Sequence, residues 1–266
     1  MAKDKYSFSE LVEIMELLRS ERGCPWDREQ DHESLKRYLI EETYEVLEAI
    51  DLKDKNKLSE ELGDLLLQIV FHAQIGRESG TFDINDVITG ISRKMIQRHT
   101  HVFGEARADT ADEVVDNWEA IKKKEKGIKS QTEVLKDVPS NLPALMRSFK
   151  VQQKAAQVGF DWDAAEGVFE KIYEEIKELE DVYRSKNVER INEEMGDVLF
   201  SLVNLSRFLK VQPELALTDA TNKFIKRFEF IEKEGAREGK KLEEMTLYEM
   251  DQLWNKAKIH ISEKTE

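Results

Sequence analysis

Two sets of acidic residues stand where a helical pattern calls for apolar side chains. Over residues 39–47, Leu-Ile-Glu-Glu-Thr-Tyr-Glu-Val-Leu, one stripe at three-to-four residue spacing takes in Leu35, Leu39, Glu42, Val46 and Ala49. Glu42 therefore points the way core residues point, and Glu45 follows one turn later. Glu61 and Asp64 stand at the head of the run Leu65-Leu66-Leu67-Gln68-Ile69-Val70, apolar enough for its helix to be largely buried. Four carboxylates facing inward from two helices cost several kcal/mol each when unpaired. A hard cation such as Mg²⁺, with Mn²⁺ as a substitute, satisfies them with oxygen ligands alone.

The constellation recurs. Glu175 falls in a stripe with Val168, Ile172, Leu179 and Val182, Glu178 lies one turn on, and Glu194 and Asp197 follow in Glu193-Glu194-Met195-Gly196-Asp197. The interval from 42 to 61 is the same as that from 175 to 194. A single acidic run is readily a solvated helix face; two copies at one interval, each in a buried pattern, argue for a duplicated site.

Further residues repeat with them. Lys94 and Arg98 lie one turn apart, as do Lys223 and Arg227; Trp118 is followed one turn later by Lys122, and Trp254 by Lys258. Metal-ligating acids, a pair of cations for phosphate oxygens and an aromatic face for a base are the parts of a nucleotide site. Glu41 and Glu174, about 100° round their helices from the ligands, are candidates for the general base or for supporting the ligands, with a plain surface role left open. None of these acids has a histidine three residues later, as a di-iron bundle requires, and His99 and His101 are matched by Phe228 and Phe230 in the second copy. Neither a P-loop nor a paired-cysteine zinc site is present.

Helices must position these groups. Four prolines and twelve glycines in 266 residues, with 36% charged residues, favour an all-α chain. Ser7 with Glu10 marks the start of a first helix near residue 8; carboxylate helices are expected over about 33–50 and 57–77, and Asp83 caps the helix carrying Lys94 and Arg98. Thr110 with Glu113 and Thr246 with Glu249 mark the helices that carry the tryptophans. Trp26, isolated in the turn 23–27, is expected to plug the core. The pattern predicts a tandem duplication of a helical-bundle unit, residues 1–126 and 144–266, joined by a connector over 127–143. A net charge of −14 argues against a nucleic-acid-binding surface. With one cysteine, Cys24, no signal-like apolar start and no apolar run of about twenty residues, a cytoplasmic protein is expected. A helical interaction protein with structural ions is the alternative, against which the cation pairs and tryptophans speak.

The turn GCPWD and the segments EETYEVLEAI, EELGDLL, LPALMRSFKVQQKAAQVGFDW, YEEIKEL, EEMGDVLF and TNKFIKRF together resemble the MazG family of two-domain nucleoside triphosphate pyrophosphohydrolases. The resemblance covers nearly the whole chain. It implies an all-α fold, Mg²⁺ dependence, and cleavage between the α and β phosphates to give a nucleoside monophosphate and pyrophosphate. It also implies a homodimer with bundles packed across subunits and broad tolerance of the base. By position, it makes Glu175, Glu178, Glu194 and Asp197 the metal ligands and puts Lys223, Arg227, Trp254 and Lys258 on the nucleotide. The first-copy counterparts are Glu42, Glu45, Glu61, Asp64, Lys94, Arg98, Trp118 and Lys122. GCPWD departs from GFDWD of the second copy, which argues against a shared role for Cys24.

Overall fold

In the computed structural model, which describes residues 3–262, helix α1 (Phe8–Arg19) begins at a capping box. The Glu10 N–H donates to the Ser7 hydroxyl oxygen, and the Ser7 N–H donates to the Glu10 carboxylate at 2.9 Å. A short helix α2 (Pro25–Glu29) follows, with proline at its first position, where a missing N–H costs nothing. The carboxylate helices are α3 (Lys36–Asp51) and α4 (Lys55–Glu78). Helix α3 starts later than its apolar pattern suggests because Ser34 and Asp31 close a local turn, with the Ser34 N–H donating to Asp31 at 2.7 Å. Helix α5 (Ile84–Arg98) opens on a capping box of Asp83 and Asp86; α6 (Thr100–Phe103) and α7 (Ala111–Glu125) complete the series.

Two compact units divide between Lys122 and Lys123, within α7. The core of the first gathers Met15, Leu35, Val70 and Phe71, with Tyr38, Leu67 and Ile84 packed against them. Arg19 locks the ends of this unit. Its guanidinium pairs with Glu78 at 2.7 Å, donates to the carbonyls of Asp27 and Gln30, and stands 5.3 Å from the centre of the Phe71 ring. Gly76 lets the chain fold back after α4, since a Cβ there would meet the Phe82 carbonyl oxygen at 2.7 Å.

The second unit contains α8 (Gln131–Lys136), α9 (Ala144–Ala156), α10 (Ala165–Val182), α11 (Val188–Phe208), α12 (Pro213–Arg237), a 3₁₀ turn (Leu242–Glu244) and α13 (Leu247–Ser262). Residues 127–143 are more than a bare connector: α8 packs on α9, Val134 and Val138 are buried, and the Gln131 amide donates to the Lys154 carbonyl. Helices α10 and α11 pack along each other, α9 lies on α11, and α12 packs on both α9 and α13. Gln152 of α9, buried, donates to the Phe200 carbonyl of α11 at 2.8 Å. Ile231, Met245 and Leu253 form a second core under α12 and α13.

Every regular element among the described residues is helical, and no helix is long and apolar enough to cross a membrane. Two expectations change. Helix α4 buries Val70, Phe71 and Ala73, but Leu62, Leu66 and Ile69 are exposed, because no element of the unit covers that side. Trp26 does not plug the core; it stands 48% exposed with its ring edge-on to Tyr38.

Candidate active site

The first cluster is built across the α3–α4 pair. Glu42 and Glu45 from α3 and Glu61 from α4 each offer a carboxylate oxygen within 4.8 Å of the others. Glu61 is buried and Glu42 partly so. Burial first, then the charges of Asp64, Glu45 and Glu41, raise the Glu42 pKa. Burial, a hydrogen bond with the Glu45 carboxyl and the charge of Glu45 raise that of Glu61. Asp64 stands outside the 4.8 Å group, near enough for its charge to reach both Glu42 and Glu61. Glu41 is exposed. Among the described residues none of Glu42, Glu45, Glu61 and Asp64 forms an ion pair; Lys57, four residues before Glu61, binds Glu48 instead.

The second cluster spans α10 and α11 and groups Glu175, Glu194 and Asp197 within the same 4.8 Å. Glu178 stands outside it, its pKa raised by burial and then by the charges of Glu175 and Glu194. The expectation of four inward acids per copy is corrected here. Glu175 is buried and Glu194 partly buried, but Glu178 and Asp197 are exposed, beside an α11 face whose Met195, Leu199 and Leu202 are also uncovered. The Lys171 ammonium lies 2.7 Å from Glu175 and 2.9 Å from Glu174, and the Arg190 guanidinium 3.9 Å from Glu194. Lys171 is a site residue that the acidic pattern alone does not pick out. Its signal was there, a lysine four residues before the ligand glutamate, the spacing that puts two side chains on one helix face.

The cation and aromatic groups sit on other helix pairs. In the first unit the Arg98 guanidinium of α5 lies 5.3 Å from the Trp118 ring centre of α7, and His99 meets that ring edge-on. In the second, Arg227 of α12 lies 5.5 Å from the Trp254 ring of α13, with Phe224 against the same ring at 5.1 Å. The Arg227 Nε is buried without a hydrogen-bond partner. Lys94 and Lys223, one turn before these arginines, are exposed. Lys122 pairs with Glu119 at 4.0 Å and Lys258 donates to Asn255 at 3.0 Å, so both reach back along their own helices.

Three carboxylates converging within 4.8 Å are the donor set of a hard divalent cation, and both clusters fit one. The guanidinium–indole pairs Arg98–Trp118 and Arg227–Trp254, on their separate helix pairs, are groups that suit a phosphate and a base.

The family model of the MazG nucleotide pyrophosphohydrolase domain matches the chain twice, over residues 30–103 and 164–233, so each match encloses one acidic cluster. A Thermotoga maritima protein, a nucleoside triphosphate pyrophosphohydrolase/pyrophosphatase MazG, is 52% identical over 94% of this chain and 95% of its own length. A nucleoside triphosphate pyrophosphohydrolase of Escherichia coli K12 is 45% identical over 93% of this chain and 95% of its own. An uncharacterised Bacillus subtilis protein, YabN, is 49% identical over 95% of this chain but only 52% of its own length.

Proposed function

The chain belongs to the MazG nucleotide pyrophosphohydrolase family, and we propose on that basis that its two acidic clusters are the hydrolytic centres of a divalent-metal-dependent nucleoside triphosphate pyrophosphohydrolase. Water attacks the α-phosphorus, the bond from that atom to the α–β bridging oxygen breaks, and nucleoside monophosphate and pyrophosphate leave. The observation that carries the reading is the convergence of Glu42, Glu45 and Glu61, and again of Glu175, Glu194 and Asp197, each with a fourth acid, Asp64 or Glu178, at the edge.

Mg²⁺ is the preferred ion, with Mn²⁺ as a substitute, because the donors are carboxylate oxygens only. A bound divalent cation supplies polarisation of the phosphate oxygens and neutralises the charge that builds on the leaving pyrophosphate. The chain's own residues do the rest. Lys94 with Arg98, and Lys223 with Arg227, take phosphate oxygens, and the lone buried Nε of Arg227 is a donor ready for one. Trp118 and Trp254 offer ring faces to a base, which stacking accepts with little regard to identity; Lys122 and Lys258 lie one turn beyond. Glu41 and Glu174 would serve as general bases for the attacking water, Glu174 only after its carboxylate parts from Lys171.

A second copy of the chain covers the uncovered apolar faces, Leu62, Leu66 and Ile69 on α4 and Met195, Leu199 and Leu202 on α11, giving a homodimer. We place the enzyme in the cytoplasm, where an unpaired Cys24 is at home.

The test is product analysis. Full-length protein with a nucleoside triphosphate and Mg²⁺ should give equimolar monophosphate and pyrophosphate by anion-exchange chromatography, and nothing in excess EDTA. Release of diphosphate and orthophosphate, or turnover that survives EDTA, would refute the reading.

A further inference from the structure

The two clusters differ at one position of the helix face that leads into them. Four residues before Glu175 stands Lys171; four residues before Glu42 stands Tyr38. Lys171 reaches the second cluster directly, with its ammonium 2.7 Å from Glu175 and 2.9 Å from Glu174. Tyr38 instead packs against the core of Met15, Leu35, Val70 and Phe71 and against Trp26, and brings no charge. The cation four residues before the α4 acid, Lys57, pairs with Glu48 and reaches Glu61 and Glu45 only through its charge, whereas its counterpart Arg190 lies 3.9 Å from Glu194. Among the described residues no ammonium is paired with an acid of the first cluster, whereas one is tethered to Glu175 in the second.

We infer that Lys171 is an internal counter-cation which a divalent metal must displace from Glu175, so that the second cluster binds metal more weakly than the first. The inference rests on the metal reading proposed above and concerns the order in which the two centres fill.

An exposed lysine–glutamate pair one turn apart on a helix is worth little. This pair is of another kind, because the Glu175 side chain is 8% exposed and the ammonium serves two carboxylates at once. A divalent ion entering the second cluster must break a charge-assisted bond to a buried oxygen and send the ammonium back to water. An ion entering the first has no ion-paired ammonium to displace from its ligands among the described residues. Arg190 adds to the difference at longer range. Replacing Lys171 should remove the competition without removing a ligand.

Mn²⁺ binding to the full-length protein, read by electron paramagnetic resonance of the free ion and by isothermal titration calorimetry, tests this without any turnover. Glu42→Gln with Glu45→Gln isolates the second cluster; Glu175→Gln with Glu178→Gln isolates the first. The wild type should show two classes of site, the weaker one retained in the first of these variants and the tighter one in the second. Lys171→Gln, made in the variant that keeps only the second cluster, should tighten its Mn²⁺ binding about five- to tenfold. Lys171→Arg, which keeps the charge, should leave it weak, and Lys171→Met serves as a second neutral replacement should the glutamine variant fold poorly. Equal affinity at the two clusters, or a second cluster indifferent to both neutral replacements, would overturn the inference alone. Mn²⁺ binding that depends on neither Glu42 nor Glu175 would overturn the metal reading and this inference with it.

Discussion

The Glu61 carboxyl of α4 stands within 4.8 Å of the Glu45 and Glu42 carboxyls of α3, acid against acid across the helix pair. Burial and the crowding of like charges raise the Glu42 and Glu61 pKa values above the ordinary carboxylate value in the metal-free cluster.

The sign of the consequence follows from linkage. Glu42, Glu61 and Glu178 have folded-state pKa values above the ordinary carboxylate value of 4.5, so over that window the folded protein binds more protons than the unfolded chain. Their contribution to stability is present below the window and is lost as pH rises through the raised values. His72, whose pKa is lowered by burial and then by His32, acts in the opposite direction below 6.5, so the effect is read as a difference from the wild type. In EDTA, Glu61→Gln should melt at a higher temperature than the wild type, and the gap should widen from pH 5 to pH 8. Saturating Mg²⁺ should reverse the order. A variant that melts below the wild type at pH 8 in EDTA would contradict this.

Arg19 makes a prediction independent of the chemistry. Its side chain is 6% exposed and serves Glu78, two backbone carbonyls and the Phe71 face. Arg19→Ala leaves those carbonyls and the carboxylate short of a donor and should cost about 3 kcal/mol in urea unfolding of the first unit. Loss below about 1 kcal/mol, the range of an ordinary surface pair, would show that the clamp is dispensable.

Exposed leucines on the carboxylate helices give a test of assembly. Leu66→Glu combined with Leu199→Glu places charge on the uncovered faces of α4 and α11. The wild type should elute with the mass of a dimer in size-exclusion chromatography with light scattering, and the double variant as a monomer of 31.0 kDa. An unchanged dimer would place the interface elsewhere.

Local signals made most of this architecture legible. Ser7 with Glu10, Asp83 with Asp86 and Thr246 with Glu249 all cap helices, because short-range hydrogen bonds depend on neighbours the sequence displays. The acidic clusters were legible for a similar reason, since period and spacing put the same acids on facing helices. What stayed hidden depends on what covers a face. The run from Leu62 to Val70 reads as uniformly apolar, and only the packing shows that Val70 is enclosed while Leu62, Leu66 and Ile69 are not. Rotamers are equally mute in sequence: Asp197 joins the second group where Asp64 does not join the first, and Glu45 joins where Glu178 does not. The two copies share all four acidic positions and still arrange them differently, with Lys171 in one and Tyr38 in the other.

Hydrolysis at the acidic clusters is the central claim. Its test is a full-length variant carrying Glu42→Gln, Glu45→Gln, Glu175→Gln and Glu178→Gln, compared with the wild type for pyrophosphate release from a nucleoside triphosphate in Mg²⁺. The variant should keep its helical circular dichroism, since each change removes charge and keeps shape, and should release pyrophosphate at least about a thousandfold more slowly. A variant that folds and still turns over within about tenfold of the wild-type rate would show that the clusters are not where the bond is broken.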